Sequence, residues 1–258
     1  MKASIIAGGT GQRLNPITNI LNKHLLLVYN KPMIFYQISF LILCGFKEFL
    51  IVVINEKMKT QILKILPKNF KKKIKISFAI QKNPNGIPGA MNLAKNFFEN
   101  QDLKIFLLGD NFFYGNNLPF QIKDSLKCNK PTIFTQKVDD NSSFGVVYKN
   151  NKKINVFIEK PKTKITAPAI TGLYFFDKSV FDIISNLKLS KRNEFEIINI
   201  LKEYEKKNLL KIVELSQGVV WFDLGTFNNI YLCSEFVKII EDRQGIKIGD
   251  LEGVLNLI

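Results

Sequence analysis

Residues 7–13 read Ala-Gly-Gly-Thr-Gly-Gln-Arg, directly after a short apolar run at residues 3–6 that is typical of a buried first strand. Three glycines in four positions let the backbone pass close to a bulky anion, because no Cβ blocks the approach. Amide groups in such a turn can point at phosphate oxygens. Arg13 adds a permanent positive charge with a forked set of donors. The stretch therefore predicts a strand, a glycine turn and a site for a nucleoside triphosphate.

This glycine turn differs from two well-known phosphate-binding loops. It is not a P-loop, because no Gly-Lys-Ser/Thr closes it. It lacks the third glycine of the dinucleotide fingerprint, and Arg13 stands near that place. A tight turn that binds no ligand is the alternative, and two later parts of the chain favour the phosphate site.

Length and composition fit one α/β domain. The chain has 258 residues, of which 46% are hydrophobic, enough for a sizeable core. No signal peptide precedes the first strand, and the longest apolar stretch, residues 33–46, is too short to span a bilayer and predicts a buried helix. The three cysteines show no metal-binding spacing. We therefore expect a cytoplasmic protein with reduced thiols and no membrane partner.

The formal net charge is +15, and 34 of the 37 basic residues are lysine, since only Arg13, Arg192 and Arg243 are arginine. Lysine, asparagine and isoleucine are all abundant, so amino-acid usage accounts for part of this charge. A basic surface favours anionic substrates. The run at residues 71–73 is expected to be a solvated turn, and no nucleic-acid-binding motif accompanies it. We expect no nucleic-acid partner; a charge-driven DNA binder with salt-sensitive affinity is the alternative.

Strand-like and helix-like segments alternate through the first half, which indicates a mostly parallel, doubly wound sheet. In this half strands are expected at 49–54, 74–80 and 104–108, and helices at 56–66 and 87–98. Ligands bind beyond the carboxyl ends of the strands in such sheets, so the glycine turn and Asp110 should converge on one site.

The second half is richer in strands, some of them antiparallel. Strands are expected at 132–138, 145–148, 154–158 and 170–176, and helices at 177–186, 194–206 and about 226–242, the last with Thr226 as its N-cap. No repeat or linker divides the chain. We expect a single domain over residues 1–258, with a nucleotide half at about 1–115 and a substrate half at about 116–258 that ends in the C-terminal helix.

Asp110 and Asp223 each follow an apolar run, and burying an unpaired carboxylate is costly. Together with phosphate or water oxygens they suit Mg²⁺; the alternative is that each caps a turn. Arg13 and Lys23 can clamp a triphosphate.

His24 is the only histidine in the chain. Phosphoryl nucleophiles are already anionic and need no general base, so we expect a structural or ligand-orienting role for His24.

Glu159 and Lys160 end another predicted strand. There a carboxylate could hold sugar hydroxyls and a lysine could hold a phosphate, although an ordinary surface turn has the same residues. Arg192 precedes Glu194 and Glu196 at the start of a helix, where acidic residues suit the helix dipole. Arg192 itself is better explained as a second phosphate clamp.

Nine blocks of the chain, in order, resemble the sugar-1-phosphate nucleotidylyltransferases, and among them those that use dTTP and glucose 1-phosphate. The blocks are residues 6–14 (IAGGTGQRL), 22–36 (NKHLLLVYNKPMIFY), 108–115 (LGDNFFYG), 144–147 (FGVV), 158–161 (IEKP), 171–177 (TGLYFFD), 192–197 (RNEFEI), 221–226 (WFDLGT) and 241–245 (EDRQG). A single tripeptide would be weak support, but nine ordered blocks across nearly the whole chain are specific.

The resemblance implies a Rossmann-like, mixed and mostly parallel central sheet flanked by helices, with a smaller antiparallel sheet on the substrate side. It implies in-line attack of a sugar 1-phosphate on the α-phosphorus of the triphosphate, in a homo-oligomer. Arg13, Lys23 and Asp110 would be catalytic, and Asp110 and Asp223 would hold Mg²⁺. The nucleotide would bind at Gly8, Gly9, Gly11, Arg13, Gln81 and Gly86, with Gln81 reading the base. The sugar phosphate would bind at Asn111, Gly145, Glu159, Lys160 and Arg192.

Residues 81–90, which would read the base, match the family only loosely, with Pro88-Gly89 unusual at a helix start. Three alternatives therefore stay open beside the thymidylyl transfer: an enzyme that uses UTP, CTP or GTP, one that uses a modified sugar phosphate, and a non-catalytic protein that binds a nucleotide-sugar. The four charged residues at positions 13, 23, 110 and 223 argue against the last.

Overall fold

The predicted first strand forms at Lys2–Ile6 (β1) and lies inside a nine-stranded sheet. The structure is a computed structural model that describes residues 1–149, 155–190 and 192–257. The sheet contains strands from both halves of the chain, and helices cover both of its faces.

The remaining strands are Leu27–Val28 (β2), Lys31–Pro32 (β3), Glu48–Val53 (β4), Lys75–Ile80 (β5), Lys104–Leu108 (β6), Asn111–Tyr114 (β7), Thr132–Gln136 (β8), Gly145–Lys149 (β9), Asn155–Glu159 (β10), Ala169–Phe176 (β11), Lys211–Glu214 (β12) and Val220–Asp223 (β13). The α-helices are Met33–Leu43 (α1), Glu56–Ile65 (α2), Phe70–Lys73 (α3), Ile87–Asn92 (α4), Leu118–Lys127 (α5), Val180–Ser185 (α6), Ile197–Lys206 (α7), Phe227–Gln244 (α8) and Leu251–Asn256 (α9).

Across the large sheet the strand order is β10-β9-β11-β6-β1-β4-β5, with β8 beside β11 and β12 beside β8. The neighbours β6, β1, β4 and β5 are parallel, as the β-α-β pattern predicts. Strand β11 runs antiparallel to β6, β8 and β9. The predicted fold class is thus confirmed, and the carboxyl ends of β1 and β6 lie side by side.

The core lies on both faces of this sheet because side chains alternate along each strand. In β4, Phe49 and Ile51 join a cluster with α1, α2 and α5, whereas Leu50 and Val52 join a cluster with α4, α6 and α7. Strands buried on both faces are expected to be continuously apolar, which explains the unbroken hydrophobic run of β4.

The smaller antiparallel sheet pairs β7 with β13 and places Asn111 directly opposite Asp223. Strands β8, β9, β10 and β11, which come from the half of the chain expected to bind the sugar phosphate, belong to the large sheet. Helix α8 packs beside β13, and the Asn229 side chain on α8 donates to the Asp223 carbonyl over 2.7 Å. The end of β13 is therefore held from two sides.

Four predicted helices are markedly shorter in the structure; those expected at 33–46 and 194–206 form as Met33–Leu43 and Ile197–Lys206. The helix expected at 87–98 ends at Asn92 and continues through i→i+3 hydrogen bonds into a 3₁₀ turn at Asn96–Phe98, which buries Phe98. The helix expected at 177–186 begins at Val180, because the Asp177 carboxylate accepts from the Ser179 amide over 2.9 Å and holds a turn there.

Other differences are local. The lysine run at residues 71–73 belongs to α3 rather than to a turn, and its residues are exposed as expected. Helix α5 was not predicted; Pro119 in its first turn is compatible with a helix start. The strand expected at 154–158 is β10, and residue 154 lies outside the described residues.

All three cysteines are free, with Cys44 and Cys233 buried and Cys128 exposed. In the part of the chain that the structure describes, no helix is both long enough and apolar enough to cross a bilayer.

Thr226 is the N-cap of α8, as predicted, because its side chain accepts from the Asn229 amide over 3.2 Å. We expect Thr226→Ala to lower the free energy of unfolding by about 1 kcal/mol, since the amide loses its acceptor. Urea unfolding measures this change. Thr226→Ser keeps the oxygen and should match the wild type; a loss of equal size in both variants would contradict the capping role.

Candidate active site

A cavity of about 190 Å³ opens beyond the carboxyl end of β6, at the edge predicted to bind ligands. We call it the central cavity. Seven of the predicted site residues line it: Arg13, Asp110, Asn111, Gly145, Glu159, Lys160 and Asp223. Residues as far apart in the sequence as Arg13 and Asp223 thus line the same cavity. Arg13, from the glycine turn, and Asp110 lie together, as the sequence predicted.

Asp110 follows β6 and forms an ion pair with Lys23 through Oδ2. Its other oxygen, Oδ1, accepts from the Asn111 side chain over 3.0 Å. Burial alone would raise the pKa of Asp110, but the charge of Lys23 and the hydrogen bonds from Lys23 and Asn111 hold it well below its usual range. Asp110 is therefore a carboxylate at neutral pH.

Asp223 ends β13 and faces Arg13 from the glycine turn, with Arg13 Nη2 3.6 Å from Asp223 Oδ2. The guanidinium of Arg13 lies over Gly225, where a side chain would collide with it. Burial raises the pKa of Asp223, and the negative charge of Asp110 adds to this, against the lowering effect of Lys23 and Arg13. The charges of Asp110, Lys23 and Arg13 therefore all influence the pKa of Asp223.

Asn111 fixes the orientation of Asp110. Its Oδ1 accepts from the Gly172 amide over 2.9 Å and from Trp221 Nε1 over 2.6 Å, so its NH₂ group must point to Asp110. The Gln37 side chain donates to the Asn111 carbonyl over 3.0 Å. Asn111 lines the central cavity; its Oδ1 already accepts two hydrogen bonds, and one of the two N–H groups of its side chain is taken by Asp110.

The predicted glycine turn curves around Lys23 and Gln81. A Cβ on Gly8 would collide with Gln81 Oε1, and a Cβ on Gly9 would lie 3.1 Å from Lys23 Nζ. Gly11 has φ +72°, a conformation that glycine adopts readily. The turn therefore needs its glycines both for close approach and for backbone shape.

Gln81 and Gly86 lie together beside the turn. Gln81 is buried, and its Nε2 donates to Asn85 Oδ1 over 3.0 Å, which leaves Oε1 facing Gly8. Gly86 has φ +95°, and a Cβ there would collide with the Phe195 carbonyl. The Phe195 amide also donates to the Asn85 carbonyl over 2.9 Å. This loop is thus attached to the segment that begins at Arg192.

Glu159 and Lys160, which also line the central cavity, follow one another at the end of β10. Burial raises the pKa of Glu159, and Glu196 raises it further, although Lys160 and Arg192 lower it. Arg192 Nη2 lies 2.6 Å from Glu196 Oε2 and 3.3 Å from Glu159 Oε1. Arg192 is therefore bound to two carboxylates, and a phosphate would have to compete with them.

His24 is buried, and its Nδ1 lies 2.7 Å from Asn22 Oδ1, which also accepts the His24 amide over 3.0 Å. A Cβ on Gly109 would lie 2.8 Å from the imidazole, so the ring packs directly against the end of β6. Burial lowers the pKa of His24 to about 3, with a further contribution from Lys23. The neutral ring therefore fills the space between the Asn22 side chain and the end of β6.

Tyr174 and Trp221 line the central cavity but were not predicted as site residues. Trp221 is the only tryptophan and stands two residues before Asp223, a signal that the sequence did contain. Tyr174 lies in the fully buried strand β11 between Leu173 and Phe175, where nothing in the sequence distinguishes it from a core residue.

The donor set around Asp110 and Asp223 fits a magnesium ion. Both carboxylates are mostly buried and offer hard oxygens, and the ammonium of Lys23 already stands in for a cation at Asp110 Oδ2. Within residues 1–149, 155–190 and 192–257, no group of three or more His, Cys, Asp or Glu side chains could hold a metal. The remaining ligands would therefore be phosphate oxygens and water.

A histidine that is neutral when folded makes the protein sensitive to acid. The pKa of His24 is about 3 in the folded chain, whereas its ordinary value is 6.5. Below about pH 6.5 the unfolded chain therefore binds a proton at His24 that the folded chain does not bind. The free energy of unfolding falls as the pH drops through this range. Between pH 7 and pH 5 we expect the free energy of unfolding of the wild type to fall by about 2 kcal/mol more than that of the His24→Asn variant. Urea unfolding at both pH values measures this difference, and parallel losses would contradict it.

Comparison with known proteins gives the family. A family model described as nucleotidyl transferase matches residues 2–239. A glucose-1-phosphate thymidylyltransferase of Mycolicibacterium smegmatis is 35% identical over 255 residues, which are 98% of this chain and 88% of that protein. A protein of the same name from Neisseria meningitidis is 34% identical over 256 residues, again 98% of this chain and 88% of the relative.

Solved structures agree with the sequence matches. A structure from Bacillus anthracis, of a protein assigned as a glucose-1-phosphate thymidylyltransferase and solved in complex with a sucrose, has a TM-score of 0.80 and 33% identity, covering 92% of this chain and 95% of that one. A UDP-glucose pyrophosphorylase complexed with UDP-glucose has a TM-score of 0.81 at 21% identity, covering 94% and 99%, and supports the fold alone. The resemblance found in the sequence is confirmed: the chain belongs to the nucleotidyl transferase family and is an enzyme of nucleotidyl transfer to a sugar phosphate.

Proposed function

We propose that this enzyme joins the thymidylyl group of dTTP to glucose 1-phosphate, giving a nucleotide-sugar and pyrophosphate. One observation carries the proposal: a single cavity is lined both by the charged side chains of Arg13, Asp110 and Asp223 and by those of Glu159 and Lys160. The first group suits a triphosphate, and the second suits a phosphorylated sugar. The half at about 1–115 would supply most of the nucleotide site, and the half at about 116–258 would supply the sugar-phosphate site and add Asp223 to the nucleotide site.

The glycine turn would receive the triphosphate. Its close approach to Lys23 places an ammonium beside the backbone amides, and Arg13 is 58% exposed and free to turn toward a ligand. Positive charge at this place stabilises the negative charge that builds up on the transferring phosphoryl group. Asp110 and Asp223 would hold Mg²⁺, which when bound neutralises charge on the phosphates.

Gln81 supports a preference for thymine or uracil. Its Nε2 is already donating to Asn85, and its Oε1 faces the glycine turn. An acceptor at this position suits the N3–H of thymine or uracil, whereas N3 of cytosine carries no hydrogen. Gln81 would therefore disfavour CTP, while the choice between dTTP and UTP rests on the resemblance to the thymidylyltransferases.

On the sugar side, Glu159 offers a carboxylate to sugar hydroxyls, and Lys160 and Arg192 offer positive charge to the phosphate. A phosphate oxygen of the sugar 1-phosphate would attack the α-phosphorus in line. A P–O bond forms, the bond to the bridging oxygen breaks, and pyrophosphate leaves with that electron pair. The attacking oxygen is already anionic, so positioning and charge stabilisation suffice without a general base.

A substrate panel tests the assignment. We expect pyrophosphate release to be fastest with dTTP and glucose 1-phosphate, slower with UTP, and slowest with CTP and GTP, and to stop when Mg²⁺ is chelated. Values of kcat/KM for each triphosphate and sugar phosphate measure the order. Equal values for dTTP and CTP would overturn the role of Gln81, and turnover with no sugar phosphate at all would overturn the proposed function.

Asp110→Asn tests the catalytic site. The variant loses a negative charge at Lys23 and at the proposed metal, so we expect kcat to fall by about 10²–10³ or more. Circular dichroism should show the wild-type fold. Asp124→Asn changes an exposed carboxylate on α5 and should keep wild-type turnover. Full activity of Asp110→Asn would remove this residue from the mechanism.

A further inference from the structure

Each carboxylate of the proposed metal site is already paired with a cation of the protein itself. Lys23 Nζ contacts Asp110 Oδ2, and Arg13 Nη2 lies 3.6 Å from Asp223 Oδ2. Two negative and two positive side chains therefore occupy one site, and their formal charges cancel. A divalent cation that approaches this site alone has no net charge to attract it.

The two ion pairs differ in strength. The side chains of Lys23 and Asp110 are only 11% and 15% exposed, whereas Arg13 is 58% exposed. Water and salt screen a pair that reaches solvent far more than a buried pair. Lys23 therefore neutralises the charge of Asp110 more effectively than Arg13 neutralises the charge of Asp223.

Lys23 also lies beside the place where phosphates would bind. A Cβ on Gly9 would be 3.1 Å from Lys23 Nζ, so the ammonium lies between Asp110 and the glycine turn. The lysine side chain has rotatable bonds along its whole stem and three donors at its tip. A rotation of this side chain can therefore move the ammonium from the carboxylate to a phosphate without any change in the backbone.

We infer that Lys23 is the resident counter-ion of the metal site: it occupies Asp110 in the ligand-free protein and leaves it when a triphosphate binds. The divalent cation then enters together with the nucleotide and not before it. This inference rests on the proposed function, because it takes Asp110 and Asp223 as the metal-binding residues.

The test is a titration of the ligand-free protein with Mn²⁺ at pH 8, followed by the electron paramagnetic resonance signal of the free ion. We expect weak binding to the wild type and at least about tenfold tighter binding to Lys23→Met, because the competing charge is gone. Lys23→Met with Asp110→Asn should lose this gain.

Lys31→Met is the matched control. Lys31 pairs with Glu241 over 2.9 Å, and the two side chains are 15% and 10% exposed, so the variant breaks an ion pair of similar burial outside the site. Its Mn²⁺ affinity should equal that of the wild type. An equal gain in Lys31→Met, or a gain that survives the Asp110→Asn change, would show a general effect of charge and overturn the inference.

A second variant and the titration of the wild type itself also test the inference. If Lys23→Met does not fold, Lys23→Gln removes the same charge and keeps a polar tip, and it should show the same gain. A tight Mn²⁺ site in the ligand-free wild type would overturn the inference without any variant. The titration measures Mn²⁺ binding and not turnover. If the protein had no transferase activity but Lys23→Met still bound Mn²⁺ more tightly, the proposed function would be refuted and the inference about Lys23 would stand.

Discussion

The hydrogen bond from the Gly109 amide to the Ile6 carbonyl, 2.8 Å long, joins the end of β6 to the end of β1. It extends the parallel pairing of Ile6 with Leu108 by one more residue. Because both strands end here, the glycine turn that follows β1 and Asp110, which follows β6, emerge side by side. A shift of one residue in this pairing would turn Asp110 to the other face of the sheet. The site thus depends on the register of two strands that are about one hundred positions apart.

The balance of charges in the site follows from that register. Asp110 is buried, and a buried carboxylate without a partner would be costly. Lys23 supplies the partner, Asn111 supplies a hydrogen bond, and His24 stays neutral beside them because burial lowers its pKa. A second protonated group at His24 would repel Lys23. The neutral imidazole therefore protects the ion pair while it fills the space against Gly109.

Much of this arrangement could be predicted from the sequence. Buried strands followed closely by Gly8 or by Asp110 have a characteristic pattern, and the topology rule for parallel sheets brings such ends together. The pairing of β8, β9, β10 and β11 with the large sheet could not be predicted, because apolar alternation indicates a strand but not its neighbour. The same limit applies to Arg192, whose charge suggested a phosphate clamp. Its partners Glu196 and Glu159 become visible only when the chain is folded.

The bond between the Phe195 amide and the Asn85 carbonyl has a mechanical consequence. It joins the loop of Gln81, the proposed nucleotide contact, to the segment of Arg192, the proposed sugar-phosphate contact. Gly86 fits under the Phe195 carbonyl with no room for a side chain, so neither segment can move far alone. A displacement of either segment therefore carries the other with it.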